Sequence, residues 1–182
     1  MLYPQEEYGS TYQIPYEDLY KTGFRGIIFD IDNTLVPHGA PADDRARKLC
    51  KNLTKIGFRI CLVSNNWERR VKPFAEELGV YYISSAGKPG KKGYLQASKL
   101  MEVSGEHILV IGDQILTDIW GANRLGFYSI LVAPINQKEE IQIVLKRFLE
   151  RVILFFFRKS KHYKGNHPDR NMYEENIPKE YR

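Results

Sequence analysis

Gly26-Ile27-Ile28-Phe29-Asp30-Ile31-Asp32-Asn33-Thr34-Leu35 decides how the rest of the chain is read. Ile27 to Phe29 form a short apolar run of the kind that makes a strand buried on both faces, and it stops at two carboxylates one residue apart. In an open parallel sheet the carboxyl ends of the strands face the ligand crevice, which places Asp30 at the mouth and Asp32 in the first loop turn. Like charges so close raise each other's pKa unless a cation compensates. A hard divalent ion suits the role, and Mg²⁺, which takes few carboxylates plus water and commonly serves phosphate substrates, suits it best. An isolated Asp-x-Asp more often just caps a turn, so the choice depends on the chain downstream.

Downstream, strands and helices alternate. Asp43 to Ile56 carries Ala46, Leu49, Cys50, Leu53 and Ile56 at helical spacing and ends at Gly57. Phe58 to Val63 reads as a strand that runs into Ser64-Asn65-Asn66. Trp67 to Leu78 is helical, with Pro73 an irregularity, and Val80 to Ser84 is a short strand. After Ala86-Gly87-Lys88-Pro89 come a helix over Lys92 to Glu102, a strand over His107 to Ile111, the loop Gly112-Asp113-Gln114, a helix containing Asp118 and closed by Gly126, and a strand over Tyr128 to Val132. This rhythm predicts an α/β fold, a three-layer, doubly wound, Rossmann-like parallel sheet of about five strands.

Around that core, residues 1–23 are rich in tyrosine and proline and are expected to form an irregular lead-in. Residues 24–157 are expected to form one domain that includes an amphipathic C-terminal helix over 139–157, and 158–182 a polar, basic, mobile tail. The composition, 43% apolar and 27% charged, is that of a globular protein, and the net charge of +5 favours anionic partners. Cys50 and Cys61 lie among apolar residues without metal-site spacing and read as buried thiols. The N-terminus has no signal-peptide pattern, and no apolar run is long enough to span a bilayer, so a cytoplasmic location is expected.

Polar groups therefore recur at four strand ends: Asp30 with Asp32, Ser64 with Asn65, Lys88, and Asp113 with Asp118. Each is weak alone. Ser64 could be a helix cap, Lys88 a surface charge with Lys91 and Lys92 as competitors, and Asp118 a first-turn acid. Their convergence at one edge of a parallel sheet makes them a site.

Asp30-x-Asp32-x-Thr34, then Ser64, Lys88 and Gly112-Asp113-x-x-x-x-Asp118, resembles the four motifs of the haloacid-dehalogenase-like (HAD) phosphatase superfamily. The likeness runs from about Phe24 to Pro134 and is greatest to the YqeG-type branch of subclass III, which is similar to phosphatidylglycerophosphate phosphatases. The resemblance implies an HAD-like fold and Asp30 as a nucleophile forming an aspartyl-phosphate. It implies Asp32 as general acid and then base, and Mg²⁺ held by the Asp30 side chain, the Asp32 carbonyl and Asp113, with Asp118 positioning that set. Thr34, Ser64, Asn65 and Lys88 would bind the phosphorylated substrate.

Leu35 to Phe58 and Asn65 to Gly87 leave no room for the cap domain that many superfamily members insert. An open site suits a phosphate on something large, and an anionic membrane lipid reached from the cytoplasmic face is the first expectation. A soluble sugar phosphate or nucleotide with a homo-oligomer completing the pocket is the alternative, and a non-enzymatic ribosome- or nucleic-acid-associated protein a third. Nucleic acid is disfavoured, because the basic residues lack interleaved aromatics. The apolar stripe Ile141 to Phe156, with Leu154, Phe155, Phe157 and the basic residues that follow, predicts that Ile153 to Lys164 docks on anionic lipid or, failing that, forms a subunit contact.

Overall fold

The computed structural model describes residues 2–136 and 181. The expected helix over 139–157, the tail 158–182 apart from Tyr181, and the docking segment Ile153 to Lys164 lie outside the described residues. Six parallel strands form one sheet: β1 (Glu6–Tyr8), β2 (Gly26–Phe29), β3 (Arg59–Val63), β4 (Tyr81–Ile83), β5 (Ile108–Gly112) and β6 (Tyr128–Val132), in the spatial order β1-β6-β5-β2-β3-β4. Among the described residues five α-helices accompany them: α1 (Tyr16–Lys21), α2 (Asp44–Ile56), α3 (Glu68–Leu78), α4 (Lys91–Met101) and α5 (Trp120–Asn123).

Strand side chains alternate between faces, and here both faces are covered. Ile27 and Phe29 of β2 point into a core shared with Leu49 and Leu53 of α2, Val71 and Phe74 of α3, and Tyr16 of α1. Ile28, between them, joins Tyr94, Ala97 and Met101 of α4 and Ala122 of α5 on the other face. Burying a side chain such as Phe29 completely contributes about 1.5–3 kcal/mol, and this run supplies three in succession. Cys50 belongs to the first core and Cys61 to the second, so the sheet separates the two free thiols. Burial pushes each thiol up to about 12.

Among the described residues there is one strand more than the expected five. The lead-in contributes β1, pairing in parallel with β6 through Glu6–Ile130 and Tyr8–Val132. Glu6-Glu7-Tyr8 has no apolar run, because an edge strand of three residues is held by its ladder and by side-chain bonds such as Tyr128 Oη to Glu6 at 2.7 Å. Asp43 caps α2 by accepting from the Ala46 N–H at 2.8 Å, and Gly57 ends it at φ 116°, where a Cβ would also lie 2.5 Å from the Tyr20 hydroxyl.

From β2 the chain builds outward through β3 to β4, and from β5 outward through β6. Strand order thus reverses between β2 and β5. In doubly wound sheets the ligand crevice opens at such a switch point, and Asp30 and Asp113 directly follow these two neighbouring strands.

Candidate active site

Asp30 leaves β2 with its backbone N–H still bonded to the Ile111 carbonyl of β5 at 2.9 Å, which fixes its carboxylate over the switch point. The Lys88 ammonium sits beside it, 2.5 Å from Asp30 Oδ1 and 2.7 Å from Asp118 Oδ1, with its side chain 5% exposed. Carboxylate oxygens of Asp30, Asp113 and Asp118 all lie within 4.8 Å of one another. Lys91 and Lys92, the rival candidates for this role, are exposed on the first turn of α4.

Gly112 makes the close approach of Asp118 possible, since a Cβ there would lie 2.4 Å from Asp118 Cγ. A π-helical turn over Ile115–Ile119 then carries Asp118 back toward the strand end, where its Oδ2 accepts from the Gln114 N–H at 3.1 Å. Burial pushes the Asp30 carboxyl up to about 6; the Lys88 charge opposes this and the Asp118 charge adds to it. Burial alone would lower Lys88, but Asp118 and Asp30 prevail and hold it above the usual lysine range. It is therefore a fixed cation.

Three carboxylates against one ammonium leave a buried surplus of negative charge in an all-oxygen donor set, and a hard divalent cation fits that set. Asp30, Asp113 and Asp118 could hold such an ion with side-chain oxygens, whereas the expected set is Asp30, Asp113 and the Asp32 carbonyl with Asp118 positioning it.

Asp32 faces a different surrounding. Its Oδ1 accepts from the Gly39 N–H at 2.8 Å and from Arg70 at 3.2 Å, and its Oδ2 from Asn66 Nδ2 at 2.5 Å. A carboxylate has about four lone-pair sites, so Oδ2 keeps capacity for a proton or a substrate oxygen. The Asp32–Val36 bridge and the Leu35 N–H to Ile31 carbonyl bond, 3.0 Å, close the turn that carries it.

The remaining expected residues divide. Ser64 is buried, and its Oγ accepts from the Asn66 N–H at 3.1 Å, bracing the loop after β3. Asn65, expected to touch substrate, closes both ends of its amide on the Lys88 backbone, with Oδ1 accepting from the N–H at 2.7 Å and Nδ2 donating to the carbonyl at 3.1 Å. Thr34 is buried, and its hydroxyl has no hydrogen-bond partner among the described residues. Sequence reasoning passed over Asn66 and Arg70. The first lies in a quoted motif, whereas Arg70 is one of several cations on an amphipathic helix and carries no local signal.

The profile of the haloacid dehalogenase-like hydrolases matches residues 38–126. The chain is 39% identical over 160 residues to the probable phosphatase YqeG of Bacillus subtilis strain 168, covering 87% of this chain and 93% of that one. It is 28% identical over 158 residues to phosphatidylglycerophosphate phosphatase 1, chloroplastic/mitochondrial, of Arabidopsis thaliana, covering 78% of this chain but only 44% of that protein. A hydrolase from Pseudomonas syringae shares the fold, with a TM-score of 0.51 at 14% identity over 67% of this chain and 90% of that one. The chain belongs to the haloacid dehalogenase-like hydrolases. Within them it is a phosphatase similar to YqeG, and the non-enzymatic alternative raised by its basic charge gives way.

Proposed function

We propose that this chain is a Mg²⁺-dependent phosphomonoesterase that works through an aspartyl-phosphate on Asp30. Its substrate in this reading is a lipid phosphate of the phosphatidylglycerophosphate kind, met at the cytoplasmic membrane surface. The observation that carries the chemistry is Lys88 lodged between Asp30 and Asp118 at the switch point, with Asp32 beside them.

A carboxyl held at about 6 is mostly ionised at neutral pH, so Asp30 can attack phosphorus while its partly desolvated charge favours attack. The new bond joins Asp30 Oδ to phosphorus as the bond to the leaving oxygen breaks, and Asp32 gives that oxygen its proton. Water then attacks the phosphoryl group and Asp32 takes the proton back. Inorganic phosphate leaves and both aspartates are restored. Lys88, buried and permanently charged, offsets the charge that gathers on the phosphoryl oxygens. Mg²⁺ would be held by the Asp30 and Asp113 side chains and the Asp32 carbonyl, with Asp118, bonded to Lys88 and the Gln114 N–H, positioning that set, and would supply further neutralisation of phosphoryl charge.

Two observations support the lipid. The stretches that could carry a cap, residues 30–43 between β2 and α2 and residues 64–67 between β3 and α3, contain no inserted domain, so a bulky substrate has access. Phosphatidylglycerophosphate phosphatase 1 of Arabidopsis is a relative over most of this chain. No helix among the described residues is long and apolar enough to cross a membrane.

A substrate panel tests the reading. It contains phosphatidylglycerophosphate in mixed micelles, sugar phosphates, nucleotides and an aryl phosphate, each with Mg²⁺ and with EDTA. The lipid should be the best substrate and EDTA should silence the enzyme. A soluble sugar phosphate or nucleotide turned over more efficiently would overturn the substrate, and undiminished turnover in EDTA would overturn the metal.

A further inference from the structure

Arg70 is a cation at the site that the phosphatase chemistry does not use. It sits in the first turn of α3, with one terminal nitrogen 3.2 Å from Asp32 Oδ1 and 2.5 Å from the Ala40 carbonyl, and its guanidinium lies 5.3 Å from the Phe74 ring centroid. These contacts fix its direction. They occupy one of its nitrogens, and no described residue accepts from the other two. Its side chain is 24% exposed, twice the 12% of Asp32, so it is reachable from solvent.

We propose that Arg70 recognises a second, non-scissile anionic group on the leaving-group side of the substrate, a phosphodiester one glycerol unit from the scissile phosphate. This rests on the phosphatidylglycerophosphate reading and assigns the residue that reads the diester its leaving group carries. Asp32 has to reach the leaving oxygen to protonate it, so whatever is bonded to that oxygen lies beside Arg70. Five bonds of about 1.5 Å, through the three carbons and the ester oxygen, set a second phosphorus at most roughly 6 Å from the leaving oxygen. A guanidinium hydrogen-bonded to Asp32 lies within that reach. With Nη2 taken by Asp32 and the Ala40 carbonyl, Nε and Nη1 remain to donate singly to phosphate oxygens, a division of labour that the one nitrogen of an ammonium cannot reproduce. Lys88 is committed to Asp30 and Asp118, so the scissile and non-scissile groups have separate cations.

The alternative is that Arg70 only pins Asp32 and the loop at Ala40, and binding measured without turnover separates the two. In an Asp30→Asn background, calorimetry compares glycerophosphoglycerol phosphate, which carries the phosphodiester, with glycerol 3-phosphate, which offers the same leaving oxygen without it. Arg70→Met, which keeps an apolar stem against Phe74, should weaken the first ligand by roughly 10- to 100-fold, the range for one charge-assisted hydrogen bond, and the second by less than about 3-fold. Arg70→Lys should restore only part of the difference. Equal losses for both ligands, full recovery with lysine, or no wild-type preference for the diester-bearing ligand would each overturn the proposal. Wild-type hydrolysis of an aryl phosphate stands or falls separately, so failure here is distinct from failure of the phosphatase chemistry.

Discussion

Asp30→Asn should make the metal-free protein more stable while removing the nucleophile. Asp30 is raised from 3.8 to about 6, first by burial, with Lys88 opposing. Folding thus makes this carboxyl hold a proton that the unfolded chain releases earlier. Its contribution to stability is fully present below the unfolded value and is lost as pH rises through about 6. At about 1.36 kcal/mol per unit, a shift of that size means roughly 3 kcal/mol of folding free energy withheld at pH 7 by the buried charge. Asparagine has the same shape, still accepts from Lys88 and carries no charge, so it should recover most of that. For a chain of this size about 2–4 °C accompanies each kcal/mol, so the midpoint should rise by roughly 6–12 °C. Scanning calorimetry of both proteins in EDTA at pH 7 and at pH 4.5 reads the effect, which should shrink at the lower pH as wild-type Asp30 takes its proton. A variant no more stable than wild type at pH 7, or a gap independent of pH, would refute the reasoning.

Other substitutions probe the surroundings. Gly112→Ala sets a methyl group 2.4 Å from Asp118 Cγ, so Asp118 must withdraw from Lys88; phosphatase activity should fall at least about 10-fold with the far-ultraviolet spectrum unchanged, the cost of misplacing one electrostatic group. Activity near that of wild type would show that the Asp118–Lys88 contact is dispensable. Asp113→Ala should abolish the thermal stabilisation that Mg²⁺ gives the wild type, and equal shifts in both proteins would remove Asp113 from the metal's ligands. With thiols pushed up to about 12 by burial on opposite faces of the sheet, neither Cys50 nor Cys61 should react with a disulfide reagent at pH 8 until the protein is unfolded. Rapid reaction of either in the native protein would contradict the packing.

The sheet and the convergence at its edge were legible because buried parallel strands announce themselves as apolar runs that stop at polar residues. Ile27 to Phe29, ending at Asp30, is the clearest case. Helix α2 was equally plain, with its cap at Asp43 and its stop at Gly57. Strand β1 was not, because Glu6-Glu7-Tyr8 is joined to the sheet by backbone pairing rather than by an apolar pattern. At the site, residue types predicted proximity but not partners. Asn65 could have met substrate or backbone, and only the folded loop shows its amide closed on Lys88. Asp118 could have been a first-turn acid, and its turn back toward the strand end depends on the π-helical turn and on Gly112 lacking a side chain. Arg70 stayed hidden because its meaning comes from Asp32, thirty-eight positions earlier.

The central claim is that phosphorus passes through Asp30. Quenching a reaction with substrate into borohydride reduces an aspartyl-phosphate to homoserine, and peptide mass mapping then locates it. The account predicts homoserine at position 30 in the wild type, dependent on Mg²⁺ and absent from Asp30→Asn. Homoserine at position 32 instead, or an enzyme turning over fully with position 30 never modified, would contradict it.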